Sequence, residues 1–105
     1  KRKVHEIYYD YFSDHNSIEI LSESEGNRAN YWLNVVKLKN KEEKASFLEE
    51  LNDNEIMTRP LWVPLNRLPM YKECYSDELK NTNHLYDVSV NLPSSAREVD
   101  YAKIL

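Results

Sequence analysis

Pro60, Pro64 and Pro69 fall within ten residues, in the stretch Pro60-Leu61-Trp62-Val63-Pro64-Leu65-Asn66-Arg67-Leu68-Pro69. Each proline fixes φ and removes a backbone donor, so regular structure is not expected here. Yet the same stretch carries Leu61, Trp62, Val63, Leu65 and Leu68. A stiff, apolar loop must pack against something. Gly26 is the single glycine of the chain. Gly-rich phosphate loops of the P-loop or dinucleotide type are therefore excluded, and a phosphate would have to be met by side chains or helix ends.

The rest of the chain reads as alternating helices and strands. Val4, Ile7, Tyr8, Tyr11 and Phe12 form one apolar stripe at helical spacing. No N-cap residue precedes them, and Lys1, Arg2 and Lys3 stand where a helix start favours acidic residues. Either the terminus is frayed, or residues 1–13 are the tail of a longer helix; the second reading is favoured. Ser17–Leu21 and Tyr31–Leu38 read as strands, the latter apolar on both faces and so central. Glu23–Asn30 is a polar loop. Asn40 is the expected N-cap of a helix over Lys41–Leu51, with Phe47, Leu48 and Leu51 inward. Glu55–Arg59 is a third strand and Asp77–Leu85 a short helix. The alternation of Tyr86, Val88, Val90 and Leu92 predicts a strand, and the capping-box spacing of Ser95 and Glu98 a closing helix with Val99, Ala102 and Leu105. The 105 residues make one domain of class α+β, a two-layer arrangement with helices on one face of a small, largely antiparallel sheet.

Several function classes drop out. Fourteen basic against eighteen acidic residues leave a net charge of −4, which disfavours phosphate-backbone binding and hence nucleic acid as a partner. No apolar run is long enough to span a membrane, and no h-region follows the basic N-terminus. Cys74 is the single cysteine, so neither a disulfide framework nor a cysteine zinc site is expected, which fits a reducing, cytoplasmic setting. No metal site is read from His5, His15 and His84, which are widely spaced; His5 and His15 are expected at the surface, and His84 near a helix end where a cation complements the dipole. Glu42-Glu43 and Glu49-Glu50 read as a solvated helix face. Lys72 lies near Cys74, but no histidine does, so a catalytic cysteine is disfavoured.

The proline loop offers two readings. In one, Arg59, Trp62, Asn66 and Arg67 are presented on a braced segment, as in a pre-organised binding loop. In the other, Trp62 and the leucines plug the core, the arginines point to water, and Arg59 pairs with a local carboxylate such as Glu55.

Four segments, in order, resemble one family. The stretch KRKVHEIYYDYF resembles the helix entering the small domain of the DegT/DnrJ/EryC1/StrS sugar aminotransferases, and NYWLNVVKL their first long strand. MTRPLWVPLNRLPMY resembles their Arg-Pro-aromatic stretch with its Pro-Leu-His and Pro-x-Tyr, and VNLPSS with a capped helix their C-terminal signature. The combination is most similar to the branch acting on nucleotide-linked keto sugars such as those leading to legionaminic acid or perosamine. The resemblance implies a fold-type I, pyridoxal-phosphate-dependent enzyme that moves an amino group from glutamate to a keto sugar in surface-polysaccharide biosynthesis, working as a homodimer. It covers the small C-terminal domain only. None of the nine lysines stands in the family's Schiff-base setting, so no catalytic residue and no bound cofactor are expected in residues 1–105, and a large N-terminal domain is the implied partner. The site residues it implies are Arg59, Trp62 and Asn66, with Asn30 and Tyr31 behind them. Asn66 replaces the histidine of Pro-Leu-His, which keeps hydrogen bonding and removes titration near neutral pH. The family's His-Leu-Tyr-like strand motif is also absent, with Tyr31-Trp32-Leu33-Asn34 in its place. A non-enzymatic α/β interaction or regulatory domain, or a decayed remnant of such an enzyme, is the alternative.

Overall fold

A computed structural model describes residues 1–95; the expected closing helix lies outside them. Helix α1 spans Arg2–Phe12, β1 Glu19–Ile20, β2 Asn34–Lys37, α2 Lys41–Asp53, β3 Arg59–Pro60, α3 Lys80–Val88 and β4 Ser89–Leu92. Two 3-10 turns, Leu65–Arg67 and Pro69–Tyr71, lie between β3 and α3. Among the described residues, three helices thus accompany a four-stranded antiparallel sheet of order β1-β2-β4-β3.

The amphipathic stripe of α1 behaves as its spacing dictates. Val4, Tyr8 and Phe12 are buried, Ile7 is half-buried and Tyr11 stays exposed. They meet Ile20, Val36, Leu38, Val90 and Leu92 from the sheet, with Phe47 and Leu48 of α2 packed against the same cluster. Helices α1 and α2 therefore cover one sheet face. The register places Val36 opposite Val90 and Asn34 opposite Leu92 on that face. Val35, Asn91 and Arg59 form a cross-strand row on the other.

Asn40 caps α2 as expected, its Oδ1 accepting from the Glu43 N–H at 2.8 Å. The strands are shorter than expected. Tyr31 takes a left-handed φ of 47° and Glu55 one of 63°, which removes residues 31–33 and 55–58 from the ladder. Pro60 joins an edge strand, where its missing N–H is tolerated, and the loop that looked irregular closes two 3-10 turns. The Tyr86–Val88 alternation belongs to the end of α3, so the last strand begins only at Ser89. His84 sits in the middle of α3 and is exposed; the expected dipole cap is not formed.

His5 departs most from expectation. It is buried, with Nδ1 3.0 Å from Asn34 Oδ1 and Nε2 3.1 Å from Ser22 Oγ. His15 does stay exposed, beside Tyr11 and Phe12. Among the described residues, no group of three or more His, Cys, Asp or Glu side chains could hold a metal, and no helix is long and apolar enough to cross a membrane.

Candidate functional site

The turn before β2 is held by side chains stacked from α1. The Tyr31 ring lies on His5, with centroids 3.7 Å apart and planes 13° apart, and the Arg2 guanidinium sits 5.3 Å from the Tyr31 ring centre. The Glu23 N–H donates to the Tyr31 hydroxyl at 3.0 Å. Arg2 grips Glu23 as a two-pronged fork, at 2.9 and 2.8 Å, and donates to the Ala29 carbonyl. Hydrogen bonds from the guanidinium and from the Ala29 N–H pull the Glu23 carboxyl down to about 2. These contacts over-determine the left-handed backbone at Tyr31, which a non-glycine residue adopts only when its surroundings hold it there. Asn30 completes the turn: its Oδ1 accepts from the Trp32 N–H at 3.0 Å. Trp32 is thereby turned outward.

Trp62 meets it from the proline loop. The two indoles lie 5.6 Å apart at 37°, a tilted aromatic contact, and remain 59% and 72% exposed. Reading Trp62 as a core plug is thus overturned. Proline bracing and the β3 pairing hold its backbone out over the sheet edge. Val63, Leu65, Met70, Tyr71 and Tyr75 of the same segment are also exposed.

Arg59 does not pair with Glu55. It donates to the Thr58 carbonyl at 2.9 Å and to Asn52 Oδ1 at 3.3 Å, and it remains exposed beside Asn91 in the ladder. Asn66 is half-buried, at the wall of a groove of about 430 Å³ shared with Leu65, Tyr71, Cys74, Tyr75 and Leu79. Its Oδ1 is buried without a hydrogen-bond partner, an arrangement that leaves an amide oxygen short of a donor. Cys74 is exposed and free. Arg67, by contrast, is bound to α3 through its Nε and Nη1 while remaining exposed. The structure therefore brings Asn30, Tyr31 and Trp62 together through Trp32. No hydrogen bond or ring contact among the described residues joins Arg59 or Asn66 to that group.

Sequence reasoning missed Trp32 and His5. Trp32 lies in an apolar run that reads as strand interior, and the turn made by Asn30 and the left-handed Tyr31 takes it out of the ladder. The pairing of His5 with Asn34, twenty-nine positions away, leaves no local signal.

The described residues do not fit pyridoxal phosphate. Lys44 is the buried lysine among those described, and its ammonium donates to the Tyr86 carbonyl and lies 4.7 Å from the Tyr86 ring. Burial pushes its pKa down, but it is already committed to that local contact. A Schiff base at this position would break it.

The sequence profile of the DegT/DnrJ/EryC1/StrS aminotransferase family matches residues 1–100. No curated protein sequence matches the chain. Among solved structures, the aminotransferase TlmJ from Streptoalloteichus hindustanus superposes with a TM-score of 0.82 at 17% identity, over 95% of this chain and 27% of its own. Helicobacter pylori PseC, an aminotransferase involved in pseudoaminic acid biosynthesis, gives 0.75 at 18%, over 88% and 26%. Spr1654 of Streptococcus pneumoniae, described as a sugar aminotransferase and solved in its PMP form, gives 0.71 at 22%, over 99% and 30%. The chain thus spans under a third of the length of each.

Proposed function

The chain belongs to the DegT/DnrJ/EryC1/StrS aminotransferase family, and from that premise we propose that it is the small C-terminal domain of a sugar aminotransferase, contributing substrate-binding surface rather than the catalytic group. In this reading residues 1–13 end the helix linking it to a large domain, and that domain supplies the lysine and the pyridoxal phosphate site. The whole protein is a cytoplasmic homodimer that transfers an amino group from glutamate to a nucleotide-linked keto sugar for surface polysaccharide.

The observation that carries the reading is the exposed Trp62 indole, set against Trp32 on a braced loop. A domain with an adequate core has no folding reason to leave two indoles in solvent, whereas a ring-shaped ligand or an apposed domain uses such a wall. Arg59 offers a planar fork to a phosphate or carboxylate. Asn66 offers an amide to a sugar substituent. Asn30 and Tyr31 act behind the wall by holding Trp32. The exposed apolar side chains of residues 62–75 face the large domain.

The test uses the complete protein. Made separately, Arg59→Ala lowers kcat/KM for the sugar nucleotide roughly 10–150-fold, the equivalent of about 1.5–3 kcal/mol for a lost charge-assisted contact, and Asn66→Ala roughly 2–10-fold, about 0.5–1.5 kcal/mol for a neutral one. Unchanged kinetics in both folded variants would leave the loop as packing alone.

A further inference from the structure

Arg67 follows Asn66 in the first 3-10 turn. Among the described residues, it is the side chain of residues 61–77 whose hydrogen bonds leave that segment. Its Nε donates to Asn83 Oδ1 at 3.0 Å and its Nη1 to Asp87 Oδ1 at 3.2 Å. The guanidinium carbon lies 4.9 Å from the Tyr86 ring centre. Asn83, Tyr86 and Asp87 are spaced i, i+3, i+4, so α3 presents all three on one face. That face is itself tied to α2, through Lys41 on Asp87 at 3.2 Å and Lys44 on the Tyr86 carbonyl.

We propose that Arg67 is a latch: its grip on Asn83, Tyr86 and Asp87 fixes the path of the proline loop and so sets Trp62 against Trp32. The mechanics follow from the number of soft torsions. Pro60 is pinned by its pairing with Val90 at the sheet edge. Pro64 holds its φ near one value. With one end fixed and a proline between, anchoring residue 67 determines where residue 62 points. Without the anchor, no side-chain hydrogen bond among the described residues ties residues 61–77 to a helix. A lysine cannot replace Arg67, because two donors in a fixed fork are used at once and a flat face lies on the tyrosine. Asn83, Tyr86 and Asp87 are positioning residues for the aromatic pair. The proposal rests on the preceding reading only for the loop's role in binding; its geometry needs no substrate.

The chain has two tryptophans, and they are the pair in contact. Their exciton couplet in far-ultraviolet circular dichroism reports their mutual geometry. In the complete protein it is read as the difference between parent and Trp62→Phe, which cancels tryptophans outside this chain. Asp87→Asn and Arg67→Lys, each compared with and without Trp62→Phe, at least halve the couplet and leave the helical amide signal unchanged. Should Asp87→Asn fail to fold, Asn83→Ala removes the Nε contact, spares Lys41 and carries the same expectation. A full-sized couplet in these folded variants, or none in the parent, overturns the latch. Loss of the sugar reading by the kinetic test leaves the couplet result untouched, so the two failures are distinguishable.

Discussion

Gly26 holds φ at +79°, and a Cβ added there meets nothing within 4 Å. Substitution therefore carries a backbone penalty with no clash. Gly26→Ala lowers stability by about 1 kcal/mol in denaturant melts, and leaves the Arg2–Glu23 fork in place. Glu23, in the same loop, titrates near 2 when folded, against an ordinary value of 4.5. Its pairing stabilises the chain above the ordinary value, and that stabilisation is lost as pH falls from there toward 2. Parent and Glu23→Gln thus differ in thermal midpoint at pH 7, with the parent higher, and converge at the acid end of that window. Melts across pH check this. The residue scale is also where sequence reasoning reached least. Gly26 advertises its turn by being glycine. The burial of His5 and the orphaned oxygen of Asn66 depend on partners brought in by the fold, and no spacing rule registers them.

Elements were legible where their signals are local. The Asn40 cap is a short-range hydrogen bond, and Asn40→Ala lowers stability by about 1 kcal/mol, measured as a shift in unfolding midpoint with α2 retained. The α1 stripe and the inward residues of α2 follow from a 3.6-residue period. Boundaries were legible only where a residue type enforces them. Between Tyr86 and Leu92 an alternating pattern straddles the end of α3 and the start of β4, because Val88 fits the last turn of a helix as well as the first pair of a strand. Tyr31 breaks the start of β2 against its own strand propensity, held by Arg2 and His5 from another element.

At the scale of the molecule, the order of elements over the described residues and the two-layer class were readable, because apolar faces need partners and small antiparallel sheets supply them. The insertion of β4 between β2 and β3 was not, since it depends on pairing residues far apart in sequence. That central pairing sets stability. Val36 and Val90 are opposite one another and wholly buried, so Val36→Ala and Val90→Ala each lower stability by about 2 kcal/mol, and the double variant departs from the sum. Chemical denaturation of the three proteins checks both the size and the coupling. The rims of this sheet, β1 and β3, are two residues long each, and one of them contains Pro60. Rims so brief offer no ladder of free amides on which another chain could template. Among the described residues, no long open edge therefore lies beside the exposed Trp32, Trp62, Met70 and Tyr75, and whatever covers these side chains meets them face-on rather than by extending the sheet.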